Sequence, residues 1–314
     1  MNYQLYLHIG YPKTGTTFLQ QALFPYAQGI NYIKKPVAKE LAMIIRQDDW
    51  TFDAEAVKAS LEKYFKPGKN LLSHEALVGD FDILKLMNSK IIADRLRRLF
   101  PEAKIIVTVR NQYDHLESMY KQYLHSGGIK KFRDFANFRN GVFEMPYTRR
   151  WDYSLYITMF DYPKLLEYYE SLFGKENILV VPYELLSKDP KLFVQKLLAW
   201  MGIETVPDFK NEFRNQGYGA RQVWLARMFN RFFKSKLNEG SVIPDIRLPV
   251  AGTIDAGRLR LILQSSLSRK LLGTKPITDV EMKEKIQKYF EKSNREMNER
   301  YALSLDQVCP GRYF

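Results

Sequence analysis

Hydrophobic and polar positions alternate at the start of the chain: Leu5, Leu7 and Ile9 fall at every second residue, and Leu19 and Leu23 then recur at helical spacing. The stretch HIGYPKTGTTFLQQAL, residues 8–23, is therefore expected to run from a half-buried strand through a glycine-bearing loop into a helix. Helical spacing returns at Leu41, Ile44 and Ile45 and at Val57, Leu61 and Phe65. Pro67-Gly68 then marks a turn before the apolar run Asn70-Leu71-Leu72-Ser73, which is of buried-strand type. His74 and Glu75 stand where that strand ends.

Ile91, Ile92, Leu96 and Leu99 predict a helix over residues 88–100, and the β-branched run from Lys104 to Val109 predicts a strand buried on both faces. A helix from Gln112 to about His125 follows, and residues 127–150 lose periodicity and read as a loop or insertion. Asp152 to Phe173 reads as helical, with Gly174 as its stop. Ile178 to Glu184 is a further buried strand. Asp189-Pro190 supplies an N-cap and a first-turn proline for a helix that buries Phe193, Leu197 and Met201. Later segments are basic and partly helical: residues 240–255 lack periodicity, whereas Arg258 to Leu272 and Asp279 to about Tyr301 predict helices. Strands alternating with helices imply an α/β fold, a central parallel sheet flanked by helices.

In such sheets ligands bind at the carboxyl ends of the strands, and the first loop carries the chemistry for an anion. Its backbone N–H groups, the unpaired donors and positive dipole end of the following helix, and the hydroxyls of Thr14, Thr16 and Thr17 all converge there. The spacing of Gly10 and Gly15 is that of a nucleotide-binding P-loop, but Thr16 and Thr17 follow where that motif has Lys and then Ser or Thr. The lysine lies inside the loop instead, at Lys13. A P-loop lysine and its neighbouring hydroxyl serve a β/γ-phosphate pair and Mg²⁺, whereas Lys13 suits the bond between a single 5'-phosphate and its terminal group, with no metal required.

The segment YPKTGTTF resembles the 5'-phosphosulfate-binding loop of sulfotransferases that use 3'-phosphoadenosine 5'-phosphosulfate (PAPS). A second element supports the resemblance: Arg110 closes a strand and Ser118 follows eight residues later on the next helix, as in the family's 3'-phosphate-binding element. Arg offers a planar fork of donors for two phosphate oxygens. The resemblance implies a P-loop NTPase-like three-layer sandwich with helical C-terminal additions, PAPS as co-substrate and adenosine 3',5'-bisphosphate (PAP) as product. It implies Lys13, Thr14, Gly15, Thr16 and Thr17 at the 5' end of the donor, Arg110 and Ser118 at the 3'-phosphate, and Phe18 and Tyr183 beside the adenine. Both aromatics could equally fill the core. The family's general base stands just beyond the strand that here ends in His74 and Glu75, and either residue suits that role. The usual late Arg-Lys-Gly pattern is absent; Arg214 or Arg221 is the candidate for closing over the 3'-phosphate.

Composition narrows the rest. The 314 residues, 46% hydrophobic, suffice for a single domain with a core over about 3–202 and a basic, helical extension over about 207–314. The absence of a run of about 20 apolar residues argues against a membrane-spanning helix. A first strand starting almost at Met1 argues against a secretory signal, and the single Cys309 fits a reducing cytoplasm without a thiolate metal cluster. An excess of 48 Lys+Arg over 35 Asp+Glu, a net charge of +13, favours anionic partners, an acidic membrane surface among them. No long basic run appears, so nucleic acid is not expected. Residues Lys130, Lys131, Arg133, Arg139, Arg149 and Arg150, with Tyr147 and Trp151, are candidates to border an acceptor cleft. The expected activity is metal-independent sulfuryl transfer to a hydroxyl or amine, with a carbohydrate or glycolipid as acceptor. The alternatives are a P-loop nucleotide kinase and a non-catalytic anion- or nucleic-acid-binding protein.

Overall fold

Five strand-forming runs build one parallel sheet. They are β1 (Tyr3–Gly10), β2 (Asn31–Tyr32), β3 (Gly68–Ser73), β4 (Lys104–Val109) and, after a separate antiparallel ribbon of β5 (Phe138–Arg139) and β6 (Val142–Phe143), β7 (Ile178–Pro182). Their order across the sheet is β2-β3-β1-β4-β7. The computed structural model describes residues 2–34, 37–81, 86–145, 154–209, 218–235, 237–244, 247–248, 257–258, 266–273 and 275–314. Met1–Asn111, Thr158–Phe213 and Lys288–Phe314 form one compact unit, and Gln112–Ile157 with Arg214–Gln287 a second.

The first unit holds the sheet. In register, Leu7 faces Leu72 and His8 faces Ser73 across β1 and β3, while Val107 faces Val180 across β4 and β7. Successive residues of a strand point to opposite faces, and here both faces are apolar. On one face Tyr6, Leu71, Ile106 and Val181 pack with Phe18, Leu19, Leu23, Leu185, Phe193 and Leu197. These come from the helical segment opened by α1 (Thr16–Phe18) and, further along, from α8 (Tyr183–Lys188) and α9 (Pro190–Trp200). On the other face Leu7, Ile105 and Val107 are fully buried. There α7 (Tyr162–Phe173) touches β4 and β7 and packs on α4 (Ser89–Leu99). The result is a central parallel sheet flanked by helices, an α/β fold. Removing one buried ring such as Phe193 from packing of this kind costs about 3–5 kcal/mol.

Local chemistry sets the boundaries. Asp189 caps α9 by accepting the Leu192 N–H at 2.9 Å, a contact worth about 1 kcal/mol. The helices α2 (Ala38–Arg46) and α3 (Ala54–Glu62) stand where their periodicity predicts. Four expectations need correction, two of them in the first unit. The helix expected from Asp152 starts at Tyr162, because Pro163 is tolerated only in a first turn; Ile157–Phe160 is a separate 3-10 turn. The strand expected to reach Glu184 stops at Pro182, which has no N–H to extend a ladder and instead precedes α8.

The third correction falls in the second unit, which opens with α5 (Gln112–His125). Part of the expected loop after it is ordered by buried aromatics: Phe132 and Phe135 on α6 (Phe132–Phe135), and Phe138 on β5. Arg133 secures that segment through Asp279 at 2.6 Å and Glu281 at 2.9 Å. α10 (Ala220–Phe232) completes the main elements of this unit. Of the helix expected from Arg258, the described part is Ser266–Leu272, and Arg258 itself pairs as a strand residue with Arg247.

Candidate active site

The sheet order creates a switch point. β2 and β3 lie on one side of β1, and the chain then crosses to the other side with β4 and β7. The carboxyl end of β1 is therefore where a ligand crevice is expected.

The loop between β1 and α1 is held from beneath by hydroxyls. Thr14 is fully buried, and its Oγ1 lies 2.5 Å from both the Tyr11 carbonyl and the Thr108 hydroxyl. Thr108 also reaches the Gly10 carbonyl at 3.2 Å and accepts, through its own carbonyl, the Tyr11 N–H at 3.1 Å. The Thr14 side chain thus ties the loop to β4 rather than facing a ligand. Beneath it His8, also fully buried, sits between Ser73 at 2.7 Å and Thr108 at 3.4 Å; burial holds its imidazole down at about 3, so it is neutral at pH 7.

The loop also leaves backbone donors outside the helical ladder. The first helical bond is Leu19 N–H to Gly15 at 3.1 Å, so the N–H groups of Thr16, Thr17 and Phe18 precede the intrahelical ladder, and no side chain caps them. Gly15, at φ 92°, is left-handed, and a Cβ there would lie 2.8 Å from Leu186 Cδ2. Only glycine fits this junction.

Lys13 is the centre of the cluster. It holds a left-handed φ of 63°, uncommon for a residue with a side chain, and its carbonyl accepts from Arg110 Nη1 at 3.0 Å. Burial, and then the nearby Arg110 charge, hold its ammonium below the ordinary lysine value, while Glu75 opposes them. Two motifs 97 positions apart in sequence thereby meet at one point. Arg110 in turn lies over the Tyr183 ring at 4.6 Å, and its carbonyl accepts from Tyr162 Oη at 2.7 Å.

Glu75 reaches the same place from β3. Its backbone packs so closely on the loop that a Cβ at Gly10 would sit 2.9 Å from the Glu75 carbonyl oxygen. Gln20 donates to its carboxylate at 3.3 Å and to Ser73 Oγ at 3.2 Å. Burial and the Glu75 charge together push the Tyr32 phenol up to about 12. His74 spends Nδ1 on the Ala76 N–H at 3.1 Å, capping the short 3-10 turn Glu75–Val78. Burial lowers its ring below the usual histidine value, an effect that Glu75 opposes and Arg46 reinforces.

Lys13, Gly15, Thr16, Thr17, Glu75, His74, Arg110 and Tyr183 therefore gather at the carboxyl edge of the first unit. Phe18 is turned into the core at 4% exposure, with Phe209 edge-on at 5.5 Å. Ser118, half-buried on α5, and Arg221, exposed on α10, belong to the second unit. Arg214, Arg149, Arg150, Tyr147 and Trp151 lie outside the described residues. Sequence reasoning missed Gln20, Tyr32, Tyr162 and Glu184. No local pattern marks them: Gln20 lies just beyond the loop, and the fold brings in Tyr32, Tyr162 and Glu184 from distant segments.

Chemically, two cations, a row of N–H donors and one carboxylate form a cradle for a multiply charged anion with a proton acceptor at its side. The sulfotransferase domain family matches the chain over residues 6–216. The chain belongs to that family. It is a PAPS-dependent sulfotransferase, and the family chemistry is sulfuryl transfer. A sulfotransferase from Alicyclobacillus acidocaldarius is similar at 20% identity over 67% of this chain and 85% of that one, with a TM-score of 0.47. Mouse sulfotransferase SULT7A1, solved in complex with PAP, is 16% identical over 95% of this chain and 85% of that one, with a TM-score of 0.39. The sulfotransferase domain from the curacin biosynthetic pathway is 14% identical over 93% of this chain and 98% of that one, at 0.40. No curated protein sequence matches the chain.

Proposed function

We propose that this sulfotransferase moves the sulfuryl group of PAPS in line to a hydroxyl or amine of a carbohydrate or glycolipid, without a metal, and with Glu75 as general base. The observation that carries the reading is Lys13, flanked by Glu75 and by the Arg110 guanidinium that binds its carbonyl at 3.0 Å. A pair of cations in a half-buried place favours a multiply charged anion, and a donor with charge at both ends of its ribose is one.

In this reading the N–H groups from Thr14 to Thr17 hold the 5' end of the donor, and Gly15 lets the backbone approach. Lys13 stabilises the negative charge that gathers on the bridging oxygen as the sulfur–oxygen bond to the 5'-phosphate breaks. Glu75 takes the acceptor proton as the new bond from sulfur to the acceptor oxygen or nitrogen forms, its carboxylate oriented by Gln20. Arg110 anchors the 3'-phosphate and fixes the reacting end in line. Tyr183, already beneath Arg110, borders the adenine, while Phe18 backs that wall from the core. Glu75 is favoured over His74 because His74 Nδ1 is occupied as a cap, which leaves that ring only Nε2 for the role. Both units belong to one catalytic domain in this proposal.

Radiolabelled PAPS offered with panels of oligosaccharides, glycolipids and small phenols, with and without EDTA, tests the acceptor and metal parts. The expected result is label on carbohydrate, unaffected by EDTA. Label on phenols alone refutes the acceptor class, and loss of transfer in EDTA refutes the metal-free reaction.

A further inference from the structure

One face of α10 carries a pattern of side chains that sulfuryl transfer does not use. At about 3.6 residues per turn, Gln222, Val223, Ala226 and Asn230 share the inner face of this helix, and all four are buried. Asn230 Nδ2 donates from there to the Leu124 and Gly128 carbonyls, each at 2.8 Å, and Gln222 Nε2 donates to Ser268 Oγ at 3.2 Å. Trp224, Met228, Arg231 and Phe232 fall instead within an arc of about 100° on the other side. All four are exposed, Trp224 at 57% and Phe232 at 53%.

The exposed apolar row continues past the helix. The Ile243 N–H donates to the Phe232 carbonyl at 2.8 Å and the Lys234 N–H to the Ile243 carbonyl at 2.7 Å, which fixes Val242, 85% exposed, and Ile243 beside the last turn of α10. Exposed hydrophobic residues scattered singly need no explanation, but a contiguous set rimmed by charge marks a contact surface. The charge here has one dominant sign. Among the described residues from Tyr218 to Pro244 the cations are Arg221, Arg227, Arg231 and Lys234, and Glu239 is the sole acid.

That charge decides the occupant. A second copy of the chain in a two-fold contact would set these cations against themselves. The surface of an anionic bilayer supplies the opposite charge, at the level where Trp and Phe side chains settle between headgroups and acyl chains.

We propose that the outer face of α10, with Val242 and Ile243, docks on an anionic phospholipid membrane. Trp224, Met228 and Phe232 enter the boundary between headgroups and acyl chains, and Arg231 and Lys234 meet the lipid phosphates. The proposal goes beyond the sulfuryl chemistry and is independent of it, since it uses no residue of the Lys13 cluster.

Cosedimentation of the full chain with vesicles of phosphatidylglycerol and phosphatidylcholine in equal parts, and with vesicles of phosphatidylcholine alone, tests this. The wild type is expected to bind the anionic vesicles, to come off at high salt, and to leave the phosphatidylcholine vesicles largely free. Trp224→Ala combined with Phe232→Ser is expected to weaken vesicle binding by about 10- to 100-fold, and Arg231→Gln by about 5-fold, with the affinity for PAP and the unfolding midpoint unchanged. Quenching of tryptophan fluorescence by brominated lipid, lost in Trp224→Phe, reads the same contact without relying on the double variant. Equal vesicle binding by the double variant and the wild type, equal binding to both kinds of vesicle, or a wild-type dimer that Trp224→Ala dissociates and that binds no vesicles overturns the proposal. Parallel loss of vesicle and PAP binding in the double variant overturns it too.

Discussion

Lys13→Ala is expected to cut the turnover of sulfuryl transfer by about 10²- to 10³-fold, the usual cost of removing one donor from a site of developing charge. The effect should fall on kcat more than on the donor KM, because the N–H groups of Thr16 and Thr17 and the Arg110 side chain remain to bind the nucleotide. The fold should survive. Thr14 and Thr108, not the Lys13 side chain, tie the loop to the sheet, and the unfolding midpoint checks that separation. Relief of the repulsion between Lys13 and Arg110 should leave the apo variant at least as stable as the wild type. A variant with normal kcat and a raised KM would make Lys13 a simple binding residue.

Glu75→Gln is expected to be the second large loss, about 10²- to 10⁴-fold in kcat, since in the proposed mechanism it removes the proton acceptor while keeping the shape of the side chain. PAP affinity should hardly change, because in the proposed mechanism Glu75 acts on the acceptor and not on the donor. His74→Gln makes the informative comparison. If Glu75→Gln remains active and His74→Gln is inactive, the base is His74 acting through Nε2, and the cap it forms on the Ala76 N–H is incidental to catalysis.

The first strand, loop and helix were readable because a period of two at Leu5, Leu7 and Ile9 gives way to a helical period at Leu19 and Leu23 across two glycines. The end of β3 at Ser73, the end of β4 at Val109 and the caps at Asp189 and Gly174 were readable for the same local reasons. What escaped notice is long-range or hidden by composition. A helix drawn through Pro163 ignored the missing N–H. Many charges between residues 127 and 145 disguised a segment ordered by Phe132, Phe135 and Phe138. Thr14 was read as a ligand donor, but strand pairing brings Thr108 beneath it and occupies its hydroxyl. The tetrapeptide at 311–314 is too short to show a period, and its place is set by long-range contacts such as the buried Tyr313 hydroxyl on Glu184 and Asn294 on the Tyr313 carbonyl.

The account depends on one nucleotide being held at once by the loop that carries Lys13 and by Arg110. Titration of PAP into the wild type and into Arg110→Ala, with ATP·Mg²⁺ as the competing ligand, measures this most directly. The account predicts PAP binding that stabilises the wild type by about 2.7 kcal/mol at 100 times its dissociation constant, about 10- to 100-fold weaker affinity in Arg110→Ala, and little stabilisation by ATP·Mg²⁺. An Arg110→Ala protein that binds PAP as tightly as the wild type, or a wild type that prefers ATP·Mg²⁺, would contradict it.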